Sequence, residues 1–178
     1  MGKKNKYPKK IEVPSCIEVR KSPIHGTGVF AKEDIKKGQP IIQYTGRKIT
    51  KKESYERAIA QMERSKGTDE GAVYIFDLNK RYDLDGNVPH NPGKYINHTC
   101  EPNCKAYNVD GEIWVHATKR IKTGQELGYN YGYDIEHYQE HPCHCGTENC
   151  VGYIVKKSQW KKLKKFVEKD NKKSKQKG

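Results

Sequence analysis

The residues best suited to chemistry in this 178-residue chain are its six cysteines, three of which fall within eight positions. Cys143, Cys145 and Cys150 have the spacing C-x-C-x4-C. Three thiolates this close together predict a metal site, and a structural zinc ion prefers four ligands in a tetrahedron. The fourth ligand must lie elsewhere in the chain, and the candidates are Cys100, Cys104, Cys16, His144 and His141.

Disulfide pairing is the alternative for these cysteines. The lysine-rich start, residues 1–10, is followed by no apolar stretch, so it lacks the central part of a secretory signal. We therefore expect a reducing compartment inside a cell, where disulfides are rare. Zinc is the favoured interpretation, and its remote ligand would tie the C-terminal segment to another part of the fold.

A second group of residues is aromatic, with twelve tyrosines against three phenylalanines. Tyr129, Tyr131 and Tyr133 alternate, so in a strand they would share one face. A row of phenols combines apolar walls with hydroxyl groups, which suits a narrow pocket for an aliphatic chain that ends in an amine. An ordinary half-buried strand face is the alternative interpretation.

Three further patterns are tested by their context. The segment 26–31 matches the dinucleotide-binding pattern G-x-G-x-x-A, but no crossover helix fits before Gly38, so we predict a tight glycine turn that approaches a ligand or is purely structural. The glycosylation pattern at 97–99 requires secretion and is set aside. A nucleophilic pair of His98 with Cys100 or Cys104 is disfavoured, because a zinc-bound thiol cannot attack a substrate.

The elements that must position these residues are mostly short strands. Runs of β-favouring residues bounded by Gly, Pro and Asn predict strands. They cover residues 16–20, 41–44, 73–78, 81–84 and a hairpin at 106–117. The hairpin turns at Asp110-Gly111, a favoured two-residue turn, and its second strand alternates apolar with polar residues.

Two helices complete the predicted fold. The first covers 51–66, with Thr50 and Glu53 as a capping box, and its apolar positions recur at helical spacing as Tyr55, Ile59 and Met62. The second is a short amphipathic helix before a frayed lysine tail, indicated by Trp160, Leu163, Phe166 and Val167. We expect it to dock on the domain, and binding to a partner is the alternative. Because strands and helices do not alternate, the fold class is mainly β with one or two helices.

The net charge of +13 belongs to the ends of the chain. Residues 1–10 contain five lysines and no acid, and residues 156–178 contain eleven lysines and two acids. The remaining residues, 11–155, carry 19 basic and 20 acidic groups, a net charge of −1. The ends therefore favour solvation or weak, salt-dependent contact with a polyanion. The length favours one domain, and no apolar run is long enough to span a membrane.

Six segments, in order, resemble the motifs of the SET-domain protein-lysine methyltransferases. They are residues 22–30, 44–46, 74–76, 95–104, 126–131 and 143–150. The resemblance covers about residues 16–155, and the sequence around His25 and Cys104 is most similar to the trithorax-type branch. Lys94, Thr99 and Gly128 depart from the arginine, serine and threonine that are usual in this family.

The resemblance implies a fold of small antiparallel sheets with a pseudoknot, in which the segment of Asn97 and His98 threads through a loop. It also implies how the chain is divided. The parts are a basic tail at 1–10, a SET domain at 11–135, a post-SET zinc segment at 136–155, and a helix with a lysine-rich tail at 156–178.

The same resemblance implies the site residues. Cys100 becomes the fourth zinc ligand beside Cys143, Cys145 and Cys150. S-adenosylmethionine is expected to contact His25, Gly26, Thr27, Gly28, Tyr74, Asn97, His98, Tyr131 and His144. The substrate lysine is expected to enter a channel formed by Tyr44, Tyr74, Tyr129 and Tyr131, in which Tyr131 is the catalytic tyrosine. Tyr129 occupies the position that varies between phenylalanine and tyrosine, and tyrosine favours one or two methyl additions.

The implied function is S-adenosylmethionine-dependent N-methylation of lysine in a histone or another basic, DNA-associated protein. A catalytically inactive SET-like module that binds basic peptides or nucleic acid is the alternative. We expect an intracellular protein, nuclear, chromatin-associated or cytoplasmic, and a secreted effector that acts in a host nucleus is also compatible with the sequence. The lysine tails predict a weak nucleic-acid contact, and no membrane contact is expected.

Overall fold

The computed structural model describes residues 13–65 and 73–175, and these residues contain ten strands and two α-helices. The predicted basic tail at 1–10 and the predicted helix end at Lys66 lie outside them. The strands are β1 Ile17–Lys21, β2 Thr27–Ala31, β3 Pro40–Tyr44, β4 Arg47–Thr50, β5 Ile75–Asp77, β6 Tyr82–Asp85, β7 Asn97–His98, β8 Cys104–Val109, β9 Glu112–Ala117 and β10 Gly128–Tyr129.

The described strands form four small sheets, three of them antiparallel, which confirms the predicted fold class. These three have the strand orders β1-β2, β3-β9-β8 and β4-β6-β5. The fourth sheet pairs β7 with β10 in parallel, so that Asn97 faces Gly128 and His98 faces Tyr129. A parallel pair needs a crossover connection, and here the connection contains β8 and β9 in place of a helix. This pairing carries His98 to the tyrosine segment.

The hairpin of β8 and β9 has the predicted turn. Asp110 and Gly111 have φ angles of 51° and 87°. Both central residues of this turn type need positive φ, which asparagine, aspartate and glycine adopt most easily. Ile113 and Val115 are buried on the inner face. The β3-β9-β8 sheet therefore turns one apolar face to the core, as the alternation predicted.

The main core lies between the β1-β2 hairpin, the β3-β9-β8 sheet and the loop segments that pack against them. Its least exposed members are Val29, Ile35, Val115, Ile121 and Leu127, each 0% exposed. Ile35 and Ile121 form an isolated β-bridge, so two loops are fastened inside this core. We therefore expect close packing to be the main source of stability on the sheet side of the molecule.

The first helix, α1 (Lys51–Ser65), begins with the predicted capping box. The Thr50 N–H donates to Glu53 Oε2 at 2.8 Å, and the Glu53 N–H donates to Thr50 Oγ1 at 3.3 Å. Two of the apolar residues that recur along this helix are exposed, however. Tyr55 and Ile59 are 70% and 41% exposed.

A polar face of α1 docks on the sheet instead. The Arg57 guanidinium donates to Asp85 Oδ2 at 3.0 Å, and Gln61 Nε2 donates to Asp85 Oδ1 at 3.4 Å. The Tyr74 N–H donates to Gln61 Oε1 at 3.2 Å. Because β6 presents a buried aspartate to the helix, the matching helix face carries hydrogen-bond donors, and the apolar stripe is turned outward.

The second helix, α2 (Trp160–Lys175), docks on the domain as predicted. Leu163 is 1% exposed and packs with Ile135, Tyr138 and Val155. The helix is longer than predicted, because the lysine-rich residues after Val167 remain helical to Lys175. The frayed tail that the sequence predicted therefore does not begin before that residue. No helix in the part of the chain that the structure describes is long and apolar enough to cross a membrane.

Candidate active site and metal site

Four cysteines from two distant parts of the chain form one cluster. The Sγ atoms of Cys100, Cys143, Cys145 and Cys150 all lie within 4.8 Å of one another. Cys100 Sγ is 3.8 Å from Cys143 Sγ and 4.0 Å from Cys150 Sγ. With zinc–sulfur bonds of about 2.3 Å, a tetrahedral site has sulfur–sulfur edges of about 3.8 Å. The four residues fit a structural zinc ion, as predicted.

The thiol groups of the cluster have perturbed pKa values that differ in direction. Burial raises the pKa of the Cys100 thiol to about 11. Burial also raises the pKa of Cys145, but hydrogen bonds from Thr147 and from the backbone at Cys100 outweigh it and lower this pKa to about 6. A divalent cation supplies the charge that four thiolates in one buried place require. All six cysteines are free thiols, and Cys16 and Cys104 are buried away from the cluster.

A cavity of about 770 Å³ adjoins this cluster, and Cys143 and Cys145 form part of its wall. The other wall segments come from the β1–β2 turn, the inner side of α1, strand β7 and the tyrosine segment. The lining residues that were predicted to contact the cofactor are His25, Gly26, Thr27, Tyr74, Asn97, His98, Tyr131 and His144. The structure thus brings eight of the nine predicted cofactor residues to one cavity.

The β1–β2 turn forms one wall. Gly26 has a φ angle of 47°, and its carbonyl accepts a hydrogen bond from the Ser22 N–H at 2.9 Å. Ser22 Oγ accepts from the Ile24 N–H at 3.0 Å, which tightens the turn further. A strand follows this turn in place of a helix, which confirms that the segment is not a dinucleotide fingerprint.

Gly28, the ninth predicted cofactor residue, does not line the cavity. A Cβ atom at this position would lie 2.4 Å from Glu126 Oε1 and 3.0 Å from Ser22 Cβ. The Ser22 hydroxyl donates to the Glu126 carboxylate at 2.9 Å. The glycine therefore makes room for a carboxylate beneath the turn.

The Glu126 carboxylate also fixes Asn97. Asn97 Nδ2 donates to Glu126 Oε1 at 2.9 Å, and lies 3.2 Å from the carbonyl oxygens of His25 and Thr27. A charge-assisted hydrogen bond is stronger than a neutral one, so Asn97 is held in one orientation at the cavity wall. The sequence predictions missed the role of Glu126, because nothing local to it indicates contacts 29 and 104 residues away.

His98 connects the tyrosine segment to the metal site. The Tyr131 N–H donates to His98 Nδ1 at 3.2 Å, and His98 Nε2 lies 3.7 Å from Cys100 Sγ. Burial lowers the pKa of His98 to about 4, so the imidazole is neutral. Since Nδ1 accepts, the proton is on Nε2 and points at the sulfur.

A continuous row of aromatic rings runs from the sheet to the cavity. Centroid distances between consecutive rings are 4.6, 5.9, 5.1, 5.9 and 4.8 Å in the order Tyr44, Phe76, Tyr129, Tyr131, Tyr133 and His141. Strand β10 ends at Tyr129, so the three alternating tyrosines do not share one strand. The three tyrosines nevertheless form consecutive ring contacts, and Tyr131 and Tyr133 line one side of the cavity.

The hydroxyl groups in this row are hydrogen-bonding groups and not bases. Burial raises the pKa of Tyr44, Tyr129 and Tyr131 above the ordinary value for tyrosine, so the phenols are protonated at neutral pH. The Tyr131 hydroxyl donates to the Ile96 carbonyl at 3.1 Å. The hydroxyl hydrogen of Tyr131 is thus already used in a hydrogen bond, and the lone pairs of its oxygen are available as acceptors.

The predicted lysine channel is only partly at the surface of the cavity. Tyr74 and Tyr131 line it, whereas Tyr44 and Tyr129 are 2% and 8% exposed and lie behind it in the ring row. The Tyr44 hydroxyl donates to the Tyr74 carbonyl at 3.0 Å, which supports the wall from behind. Several lining residues were not predicted to contact the cofactor, and they include Gln61, Arg64, Lys94, Tyr133 and His141. Tyr133 has a sequence signal in its place in the alternating row. The sequence indicates His141 only as a candidate zinc ligand and Lys94 only as a departure from the family pattern, and Gln61 and Arg64 have no signal.

A family model described as "SET domain" matches residues 26–132 of this chain. The match covers the glycine turn, the Asn97-His98 segment and the tyrosine segment, but it ends before the three C-terminal cysteines. The chain belongs to the SET-domain family.

Curated relatives agree with this assignment. Histone-lysine N-methyltransferase 2D of Homo sapiens is 33% identical over 75% of this chain and 2% of its own length. Histone-lysine N-methyltransferase set-2 of Caenorhabditis elegans is 33% identical over 78% of this chain and 9% of its own length. Histone-lysine N-methyltransferase trithorax of Drosophila melanogaster is 32% identical over 78% of this chain and 4% of its own length. Each match thus covers less than a tenth of the relative's length.

Proposed function

We propose that this chain is an S-adenosylmethionine-dependent protein-lysine N-methyltransferase. One observation carries the proposal: the glycine turn, Asn97, His98 and Tyr131 line a single cavity that is closed on one side by a zinc-type cysteine cluster. Membership of the SET-domain family and the printed names of the relatives support it.

We assign the cofactor to the side of the cavity between the β1–β2 turn and the cysteine cluster. S-adenosylmethionine, when bound, supplies a methyl group on a sulfonium centre. The main chain at 25–27 and the Asn97 amide, which Glu126 orients, hold polar parts of the cofactor in this proposal. His144 and Cys145 form the facing wall. In the same proposal, residues 11–135 are the SET domain and 136–155 the post-SET zinc segment.

The aromatic row prepares the substrate amine. A lysine side chain with a pKa near 10.4 must lose a proton before it can attack a methyl group, which costs about 4 kcal/mol at neutral pH. An apolar passage lined by Tyr131 and Tyr133 disfavours the ammonium ion and offsets part of that cost. The Tyr131 oxygen accepts a hydrogen bond from the amine and aligns its lone pair, and alignment is the larger contribution.

Tyr129 limits the number of methyl groups in this proposal. Its ring stands between Phe76 and Tyr131 in the row. A hydroxyl at this position hydrogen-bonds the amine or a water molecule and occupies the space of a further methyl group. We therefore propose one or two methyl additions, and mass spectrometry of the product peptides, with Tyr129→Phe for comparison, measures the number.

The proposed substrate is a histone or another basic, DNA-associated protein tail, and the proposed place of action is chromatin or its equivalent. The relatives are named histone-lysine N-methyltransferases, which supports this class of substrate. The experiment is transfer of a labelled methyl group from S-adenosylmethionine to a panel of histones and lysate proteins.

Tyr131→Phe is the test variant for that panel, and Tyr107→Phe, a tyrosine that is 41% exposed, is the matched control. We expect Tyr131→Phe to lower the transfer rate by about 100-fold, because the aligning oxygen is lost. Tyr107→Phe should match the wild type. A wild-type protein that binds the cofactor but labels no substrate would instead favour the inactive peptide-binding module.

A further inference from the structure

Helix α2 is held against the domain in one fixed rotation. Leu163 is buried at 1% exposure. The Trp160 indole N–H donates to the Val155 carbonyl at 3.0 Å, and the Tyr138 hydroxyl donates to Asp170 Oδ2 at 2.5 Å. These contacts are spread from the first turn of the helix to its third, so the opposite face is presented to solvent along the same length.

That opposite face carries a stripe of lysines. Lys161, Lys165, Lys169 and Lys172 are all exposed, and their spacing of i, i+4, i+8 and i+11 places them on one side of the helix. None of the four forms an ion pair with any residue that the structure describes. At a rise of about 1.5 Å per residue, the stripe extends for about 16 Å.

Helix stability does not explain this stripe. Like charges four residues apart repel each other on a helix surface. Lys161 also stands in the first turn, where the helix dipole disfavours cations. Of the two acids in the helix, Asp170 is committed to Tyr138. Glu168 lies on the side of the stripe, but it forms no ion pair with any residue that the structure describes. An anionic partner along the stripe would remove the repulsion.

The residue types on this face favour a nucleic acid over a lipid surface as the partner. The apolar residues Leu163 and Val167 pack inward, and Lys162 lies 5.3 Å from the exposed Phe166 ring, so the solvent side has no apolar row to insert into lipid. Lysine ammonium groups contact phosphates as point charges and do not read bases in the bidentate way of arginine. We propose that the stripe is a docking surface for duplex DNA of any sequence.

The position of α2 would bring docked DNA close to the cavity. The helix packs on residues 135–155, and Glu140, His141 and His144 of this segment line the cavity. DNA on the outer face of α2 would therefore be separated by one helix from the segment that forms part of the cavity wall, and proteins bound to the same DNA would have their basic tails close to the site. This consequence rests on the proposed function, whereas the docking itself does not.

The test measures binding of the zinc-loaded full chain to a fluorescent DNA duplex at several salt concentrations. The test variant replaces Lys161, Lys165, Lys169 and Lys172 by glutamine. The control replaces four exposed lysines beside the Ile35–Ile121 bridge, namely Lys36, Lys37, Lys119 and Lys122. Both variants lose the same charge, so long-range attraction falls equally and only direct contact differs.

We expect the plot of log affinity against log salt to flatten by about 0.9 for each contacting lysine that is lost. The α2 variant should therefore lose up to about 3.6 from the slope, and the control variant should keep the wild-type slope. Equal losses in both variants, unchanged binding by the α2 variant, or preference for anionic vesicles over the duplex would each overturn the proposal. Circular dichroism shows whether both variants are folded.

Methyl transfer to the substrate panel is measured separately from DNA binding. Duplex binding without transfer would count against the proposed function and leave the docking surface in place. Transfer without α2-dependent binding would count against the docking surface alone.

Discussion

The sheet side of the cavity and its C-terminal side are held together in different ways. On the sheet side, fully buried aliphatic residues such as Val29, Val115 and Leu127 pack under paired strands. On the C-terminal side, the apolar cluster is much smaller and consists of Ile135, Tyr138, Val155 and Leu163. The four cysteine thiols form a second small cluster on this side. A small core needs a metal ion or a similar crosslink to be stable. We therefore expect the C-terminal wall of the cavity to be less stable than the wall on the sheet side.

Removal of the metal should give the largest difference in stability between the two sides. We expect a chelator to abolish binding of S-adenosylhomocysteine and to expose residues 135–155 to proteases, because structural zinc contributes on the order of 10 kcal/mol to small sites. The β-sheet signal in circular dichroism should remain. Limited proteolysis with mass spectrometry locates the cleavage, and loss of the whole sheet signal would show that the two sides are one cooperative unit.

Truncation of one buried side chain on each side sharpens the comparison. Leu163→Ala and Ile121→Ala should each cost about 2–5 kcal/mol, since both side chains are fully buried. In thermal unfolding, we expect Leu163→Ala to lower a transition of the C-terminal side and Ile121→Ala to lower that of the sheets. If both variants shift one shared transition equally, the sides do not unfold independently.

A smaller effect is expected at the glycine turn on the sheet side. Gly28→Ala places a Cβ atom 2.4 Å from Glu126 Oε1, so the carboxylate must move and its hold on Asn97 weakens. Overpacking of this kind costs about 1–3 kcal/mol. The measurement is the affinity for S-adenosylhomocysteine by calorimetry. Glu126→Gln keeps the size and loses the charge, and it should weaken binding less; full binding by both variants would contradict the role of Glu126.

The smallest effects on cofactor and metal binding are expected at His98, which contacts both the Tyr131 N–H and Cys100 Sγ. His98→Asn retains an acceptor for the Tyr131 N–H and removes the donor to Cys100, and His98→Gln does the reverse. Each lost hydrogen bond is expected to cost about 1 kcal/mol. The asparagine variant should shift the charge-transfer bands of a cobalt-substituted site, whereas the glutamine variant should mainly weaken cofactor binding. Identical changes in both readouts would mean that His98 only fills space.

Local features of the fold could be predicted from the sequence because neighbouring residues decide them. The capping box at Thr50 and Glu53 and the turn at Asp110-Gly111 depend on hydrogen bonds and φ angles within four residues. The cysteine spacing likewise predicted a metal. The face of α1 that meets the sheet could not be predicted, because periodicity shows that a helix has two faces but not which of them meets a buried aspartate.

The sequence by itself determined the kinds of element, the thiols available to a metal ion and the aromatic character of the tyrosine segment. Tertiary structure decided which distant groups meet: Cys100 with the three C-terminal cysteines, Glu126 with Asn97, and β7 with β10 in parallel. These contacts join residues about 30 or more positions apart. They depend on the burial of the whole core, which no short pattern in the chain encodes.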